Sequence, residues 1–104
     1  MSFSATELRV PVAQHAATTE DALIVDLADG RTVTVPRGWF PRLSHGSAAE
    51  CANWKLIGGG SGIHWPDLDE DISVESLLAG RKSGESLESL RKWLEARASA
   101  AGAK

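Results

Sequence analysis

Leu23-Ile24-Val25-Asp26-Leu27-Ala28-Asp29-Gly30-Arg31-Thr32-Val33-Thr34-Val35 decides the fold. Two runs rich in β-branched residues flank Ala28-Asp29-Gly30, the pattern of a β-hairpin. Side-chain facing sets the loop length. A loop of Asp29-Gly30 alone would put Val25 opposite Thr34 and Asp26 opposite Val33, mixing polar and apolar residues on both faces. A loop of Ala28 to Gly30 puts Val25 opposite Val33 and Leu23 opposite Val35, so that all four share one buried face. Asp29 then completes a type I turn, and Gly30 takes the left-handed position of a bulge. Pro36 ends the second strand.

Upstream, Thr18-Thr19-Glu20-Asp21 is a polar turn, and Arg9 to Ala16 reads as a weak strand. Pro11 cannot donate to a ladder, which puts that strand at an edge. Downstream, Trp39-Phe40-Pro41-Arg42-Leu43 covers one end of the sheet. Ser47-Ala48-Ala49-Glu50 has capping-box spacing and starts a short helix through about Asn53. Trp54 to Ile57 reads as a strand, Gly58 to Gly62 as a turn, and Ile63-His64-Trp65 as a short returning strand. Ser73 caps a second helix, with Ile72 and Leu77 as a hydrophobic staple and Gly80 as the left-handed residue past its end. Leu87, Leu90, Leu94 and Ala98 recur at helical steps, marking an amphipathic helix from about Glu85 to Arg97 with Trp93 at one edge of the stripe. The alanine-rich end from Ser99 to Lys104 should fray.

The fold expected is therefore α+β: one small antiparallel sheet of about five strands, with the hairpin 22–36 central and two or three helices. The C-terminal amphipathic helix is one of these. Residues 1–8 form a frayed N-terminus, 9–80 a single domain, and 81–104 a linker and the last helix. The chain has 104 residues, 42% of them hydrophobic and 24% charged, which suits one globular domain. A net charge of −3 argues against nucleic acid or an anionic membrane as partner. The single cysteine fits a reducing, cytoplasmic setting. Met1 to Val10 hold Glu7 and Arg9 and lack an apolar run, so no signal peptide is read there.

The densest chemistry lies in Gly62-Ile63-His64-Trp65-Pro66-Asp67-Leu68-Asp69-Glu70-Asp71. Asp67, Asp69 and Asp71 have the spacing that opens a calcium loop. The sixth position is Ile72 and the twelfth Leu78, where that loop needs glycine and glutamate. Acids here complement the positive end of the following helix instead. His64 shows no ligand spacing to His15 or His45, so a hydrogen-bonding role in the sheet is the simpler reading. Cys51 sits with Ala48 and Ala52 on the apolar side of a helix, the setting of a core cysteine. The glycine run lacks the lysine of a phosphate loop and leads into a strand. No catalytic residue, cofactor or metal site is expected.

Four tryptophans in a short chain need a reason. Trp54 and Trp65 alternate as strand residues and suit a core. Trp39-Phe40 between Arg37 and Arg42, and Trp93, suit either the rim of the sheet or a protein interface. The candidate interaction surface is Trp39, Phe40, Arg42, His64, Trp65, Asp67, Asp69, Glu70, Asp71 and Trp93, with the acids forming a ridge that would meet a basic partner protein.

Leu27-Ala28-Asp29-Gly30-Arg31, Val35-Pro36, Trp39-Phe40-Pro41-Arg42-Leu43, Asn53-Trp54, Gly62-Ile63-His64-Trp65-Pro66, Leu68-Asp69-Glu70-Asp71 and Leu77-Leu78, in this order, resemble the domain of unknown function (DUF) 2442 family. The resemblance covers residues 9 to 80. It implies a small α+β fold and a bacterial origin. It also implies a setting beside a second small protein, in which this module resembles the antitoxin of a toxin–antitoxin pair. Some relatives carry a helix-turn-helix after this module, whereas here one helix follows Gly80. The leading expectation is a non-catalytic protein-binding module, antitoxin-like. The C-terminal helix either covers its own sheet or fills a partner's groove. Alternatives are an autoregulatory DNA-binding protein, or a small hydrolase or metal enzyme using His64 with Asp67, Asp69 or Asp71. The edge from Arg9 to Ala16 would also allow a homodimer by strand pairing.

Overall fold

The computed structural model describes residues 10–102, with side chains through Ala100. The expected frayed N-terminus, residue 9 of the first strand, and residues 103–104 lie outside this range.

The hairpin forms as the facing argument requires. Strand β2 (Ala22–Leu27) pairs antiparallel with β3 (Thr32–Pro36), setting Leu23 opposite Val35 and Val25 opposite Val33. Ala28 to Gly30 make the loop, closed by Leu27 N–H to Arg31 O at 2.8 Å and Gly30 N–H to Leu27 O at 3.1 Å. Gly30 has φ +94°, a conformation that costs an L side chain energy. Leu23, Val25, Leu27 and Val35 are buried, and Val33 packs against them half-buried.

Strand β1 runs Ala13–Thr18, later than the sequence suggests, because Pro11 delays entry into the ladder. It lies at the edge of a three-stranded sheet, β1-β2-β3. The register slips between Ala13 and His15, leaving Gln14 as a bulge. The bulge resets the alternation, so Ala13 and Ala16 both face the core.

The expected single sheet divides in two. Strands β4 (Lys55–Ile57), β5 (Gly62–Trp65) and β6 (Glu70–Ser73) make a second antiparallel sheet in that order. Two short helices separate the sheets along the chain: α1 (Pro41–His45), after a 3-10 turn at Arg37–Trp39, and α2 (Ala48–Ala52). They carry the backbone away from β3, so β4 starts a new ladder. Helix α1 was not anticipated. It lacks a side-chain cap and starts on Pro41, which tolerates only the first turn. Helix α2 carries the full capping box: Glu50 N–H donates to Ser47 Oγ at 3.1 Å, and Ser47 N–H donates to Glu50 Oε1 at 2.9 Å.

The β4–β5 connection places Gly58, Gly59 and Gly60 at φ +58°, +68° and +99°. Gly60 is also buried, and a Cβ there would sit 2.9 Å from the Ala13 carbonyl oxygen. The glycine run thus serves a backbone path that brings the second sheet against β1. Strand β6 corrects the expectation that Asp67 to Asp71 lead straight into a helix. Pro66 to Asp69 turn the chain, and Glu70–Ser73 pairs back on β5, Ile63 against Ile72 and Trp65 against Glu70. Ser73 then caps α3 (Val74–Leu78), with Ile72 and Leu77 both buried. The helix closes with Arg81 N–H to Ser76 O and Gly80 N–H to Leu77 O, at 3.0 and 3.1 Å, the Schellman pattern.

The core joins both sheets and the short helices: Leu23, Val25 and Leu27 meet Ile63, Trp65 and Ile72, with Phe40, Leu43, Cys51, Leu68, Val74 and Leu77 filling between. Helix α4 (Leu87–Gly102) runs further than expected, through the stretch read as frayed. Its inward stripe is Leu90, Trp93, Leu94 and Arg97, all half-buried, so Trp93 lies within the stripe. Leu87 is 86% exposed. Among the described residues, no helix is long and apolar enough to cross a membrane.

Candidate functional site

Two arginines organise the surface that the sequence marked as aromatic. Arg37 turns inward. Its Nε and Nη2 donate to Leu43 O at 2.9 and 2.7 Å, Nη2 also to Gly46 O at 3.0 Å, and Nη1 to Thr19 O at 3.2 Å. It therefore ties the β1–β2 turn to the α1–α2 junction. Arg42 is also drawn in, its side chain 15% exposed. Its Nε bridges both Glu85 oxygens at 2.9 and 3.0 Å, and Nη2 donates to Oε2 at 2.6 Å. Nη1 donates to Asp69 O at 3.1 Å. Arg42 is thus a clamp within the chain, not a group offered to a partner.

The clamp lies beside the face on which α4 docks. The guanidiniums of Arg42 and Arg97 each lie over the Trp93 ring, 5.0 and 4.6 Å from its centroid, in cation–π geometry. Arg97 donates to both Glu50 oxygens at 3.1 and 2.9 Å. Arg97, with the Ser47 N–H next, holds the Glu50 carboxyl down to about 2. Arg42 likewise holds Glu85 below the usual carboxylate range. No residue of α4 with a described side chain is buried, so charge and π contacts, more than apolar burial, hold this helix.

The ten-residue stretch splits between faces. Trp65 is 0% exposed, with its Nε1–H donating to Cys51 O at 3.0 Å. Phe40 is buried as well. Both were candidates for an interaction surface and both are core. They face inward because β5 alternation and the start of α1 place them under the sheets. Glu70, opposite Trp65, is half-buried, and burial pushes its carboxyl up. His64 and Asp71 pair on the other face through Nδ1 and Oδ1. Asp67 accepts from Asn53 Nδ2 at 2.9 Å. Asp69 holds φ +50°, and its carboxylate stands 3.7 Å from Arg42. Trp39 is half-buried beneath Lys82, and its carbonyl accepts from Ser83 N–H.

The acids therefore form no single ridge. Asp69 joins the Arg42–Glu85–Trp93 cluster, while Asp71 serves His64 on the outer face of the second sheet. Cys51 is core, with Sγ 3.4 Å from Leu43 O. Among the described residues, no group of three or more His, Cys, Asp or Glu side chains is placed to hold a metal ion. Sequence reading missed the tasks of Arg37, Glu50, Glu85 and Arg97. Glu50, Glu85 and Arg97 depend on partners 43 or 47 positions away, and Arg37 on backbone carbonyls that no side-chain pattern marks. The one local signal was Glu50 at the third helical position, which spoke only for its cap.

A match to the family described as "Protein of unknown function (DUF2442)" spans residues 14–83, more than half the chain. A crystal structure of a protein of unknown function from Rhodospirillum rubrum is similar, with TM-score 0.65 and 30% identity over 76% of this chain and 98% of that one. A solution NMR structure of an uncharacterized protein from Chromobacterium violaceum has TM-score 0.61 and 18% identity, over 78% of this chain and 74% of that one, a likeness of fold. No curated protein matches the chain. Helix α4 begins after the family match ends. From the hairpin to the Schellman turn, the chain belongs to the DUF2442 family.

Proposed function

We propose that this chain is a non-catalytic protein-binding module, antitoxin-like, that grips a partner protein through α4. One observation carries the reading. Leu87, Leu90 and Leu94 form an apolar stripe, yet Leu87 is 86% exposed and no leucine of the helix is buried. An amphipathic helix whose apolar stripe is only half covered by its own module, and uncovered at Leu87, can fill the groove of another protein. The ion pairs of the helix weigh against the DNA-binding alternative. Arg91 is held by Glu88 and Glu95, and Arg97 by Glu50, which leaves a balanced surface. On this reading the protein acts in the bacterial cytosol, beside a small partner encoded nearby.

Tagged full-length protein should co-purify with the product of the neighbouring gene, and that product alone should slow growth. Leu87→Ser with Leu94→Ser should lose the partner while circular dichroism stays unchanged. A neighbour that neither binds nor harms cells defeats the antitoxin reading. Retained binding by the double variant defeats the assignment to α4.

A further inference from the structure

Each three-stranded sheet has two edges. Strand β1 is closed, since Ala16 is 2% exposed and α2 packs against the strand. Strand β3 shows Thr32 and Thr34 to solvent and ends on Pro36. Strand β6 carries Glu70 and Asp71, and Arg81 to Gly84 lie across a cleft from it. Strand β4 differs. Lys55, Leu56 and Ile57 are all exposed, Leu56 at 39% and Ile57 at 38%. An open apolar edge is a template for pairing with another chain.

The ladder fixes which backbone groups that edge offers. Val74 N–H donates to Ser61 O at 2.9 Å, so Ser61 turns its backbone groups toward β6. By alternation Gly62 and His64 turn theirs toward β4, where they meet Ile57 and Lys55. Leu56 therefore directs its N–H and C=O away from β5, and among the described residues neither group finds a partner. Its side chain ends a row on the core face, Ile72, Ile63, Leu56, of which the first two are buried. On the other face Ile57 lies down on Gly62, with Cγ1 3.2 Å from where a Cβ would stand.

The edge is complementary to itself. In an antiparallel pair, two residues placed directly opposite can exchange both main-chain bonds. Leu56 set against the same residue of a second copy satisfies both of its outward groups and both of the partner's. The two apolar rows then join end to end, covering Leu56 on each side. Lys55 falls opposite the partner's Ile57, so no charge meets a like charge and the lysine stem lies along an apolar neighbour. We propose that two copies of this chain pair antiparallel through β4, about a two-fold axis at Leu56, into one six-stranded sheet. The interface is isologous, as expected of a closed dimer. It uses no residue of α4.

The test is sedimentation equilibrium of the full-length protein with amide NMR at matched concentrations. The ladder is short, so the expected dimer is weak, with Kd on the order of 100 µM. The Leu56 amide should move most with concentration. Leu56→Lys and Leu56→Glu should each be monomeric, because residue 56 faces itself and like charges meet there. An equimolar mixture of the two should dimerise again, which an unfolded or merely weakened variant would not do. Leu56→Pro should abolish pairing by removing the outward N–H while the bonds to β5 remain. Leu87→Ser with Leu94→Ser should leave the dimer unchanged, which separates this surface from the α4 reading. A chain still monomeric at about ten times that Kd, a dimer that survives Leu56→Pro or either charge substitution, or a mixture that stays monomeric would each overturn the proposal.

Discussion

Arg97 and Glu50 stand 47 positions apart and meet through two parallel hydrogen bonds, Nη1 to Oε2 and Nη2 to Oε1. Glu50 Oε1 also accepts the Ser47 N–H. One carboxylate thus caps α2 and anchors α4.

Two substitutions separate these tasks. Glu50→Gln keeps an oxygen for the cap but loses the charge. It should loosen α4 and cost about 1 kcal/mol, the upper end for a pair still partly screened by solvent. Glu50→Ala should cost about 1 kcal/mol more by removing the cap's second bond. Urea denaturation with hydrogen exchange on α2 and α4 amides checks this. Equal loss of α2 protection in both variants would refute the separation.

Acid should release α4 before it unfolds the sheets. Glu50 and Glu85 have depressed carboxyls in the fold. Their contribution is present above the ordinary value and lost as pH falls toward the folded one, from 4.5 to about 2 for Glu50. Glu70 runs the other way. Its raised carboxyl contributes fully below the ordinary value, and that contribution fades as pH rises through the raised one. The Trp93 indole resonance, followed by NMR through the acid range, should move before the Trp65 resonance. Simultaneous movement would count against a separable helix.

Trp65→Phe tests core against surface at the most aromatic point of the ten-residue stretch. It removes the bond to Cys51 O and part of a fully buried ring. The expected loss is about 1–3 kcal/mol in urea titrations, from the unmet carbonyl and the cavity. Partner binding by the folded variant should persist. Full stability with lost binding would return Trp65 to the interface.

Gly60→Ala should be far worse than Gly38→Ala. At Gly60 a Cβ meets positive φ and the Ala13 carbonyl together, whereas at Gly38 nothing lies within 4 Å. Thermal melts should show about 2–4 kcal/mol lost at Gly60 and almost none at Gly38. A mild Gly60 variant would mean that the sheets can part without cost.

The hairpin and the caps were legible because their signals are local. Facing decides Val25 against Val33, and Ser47 and Ser73 bond within three residues. Strand β6 was hidden because Glu70 and Asp71 are poor strand formers and only pairing with Trp65 and His64 overrides that. The split into two sheets was hidden because it depends on where α1 and α2 carry the chain. Arg37 and Arg42 were read as flanks of an exposed aromatic pair. Nothing near them in sequence announces Leu43 O, Gly46 O or Glu85 as their targets.

The attachment of α4 sets a condition on any protein that takes the helix away. Undocking it together with the Glu85 turn that leads into it would leave Arg42 without Glu85 and Glu50 without Arg97. A stripped half-buried charge is costly. A protein that captures α4 while remaining on the module must therefore bring an acid to one place and a base to the other. The vacated seat is a mould, and its cast gives the charge pattern of the protein that fits it.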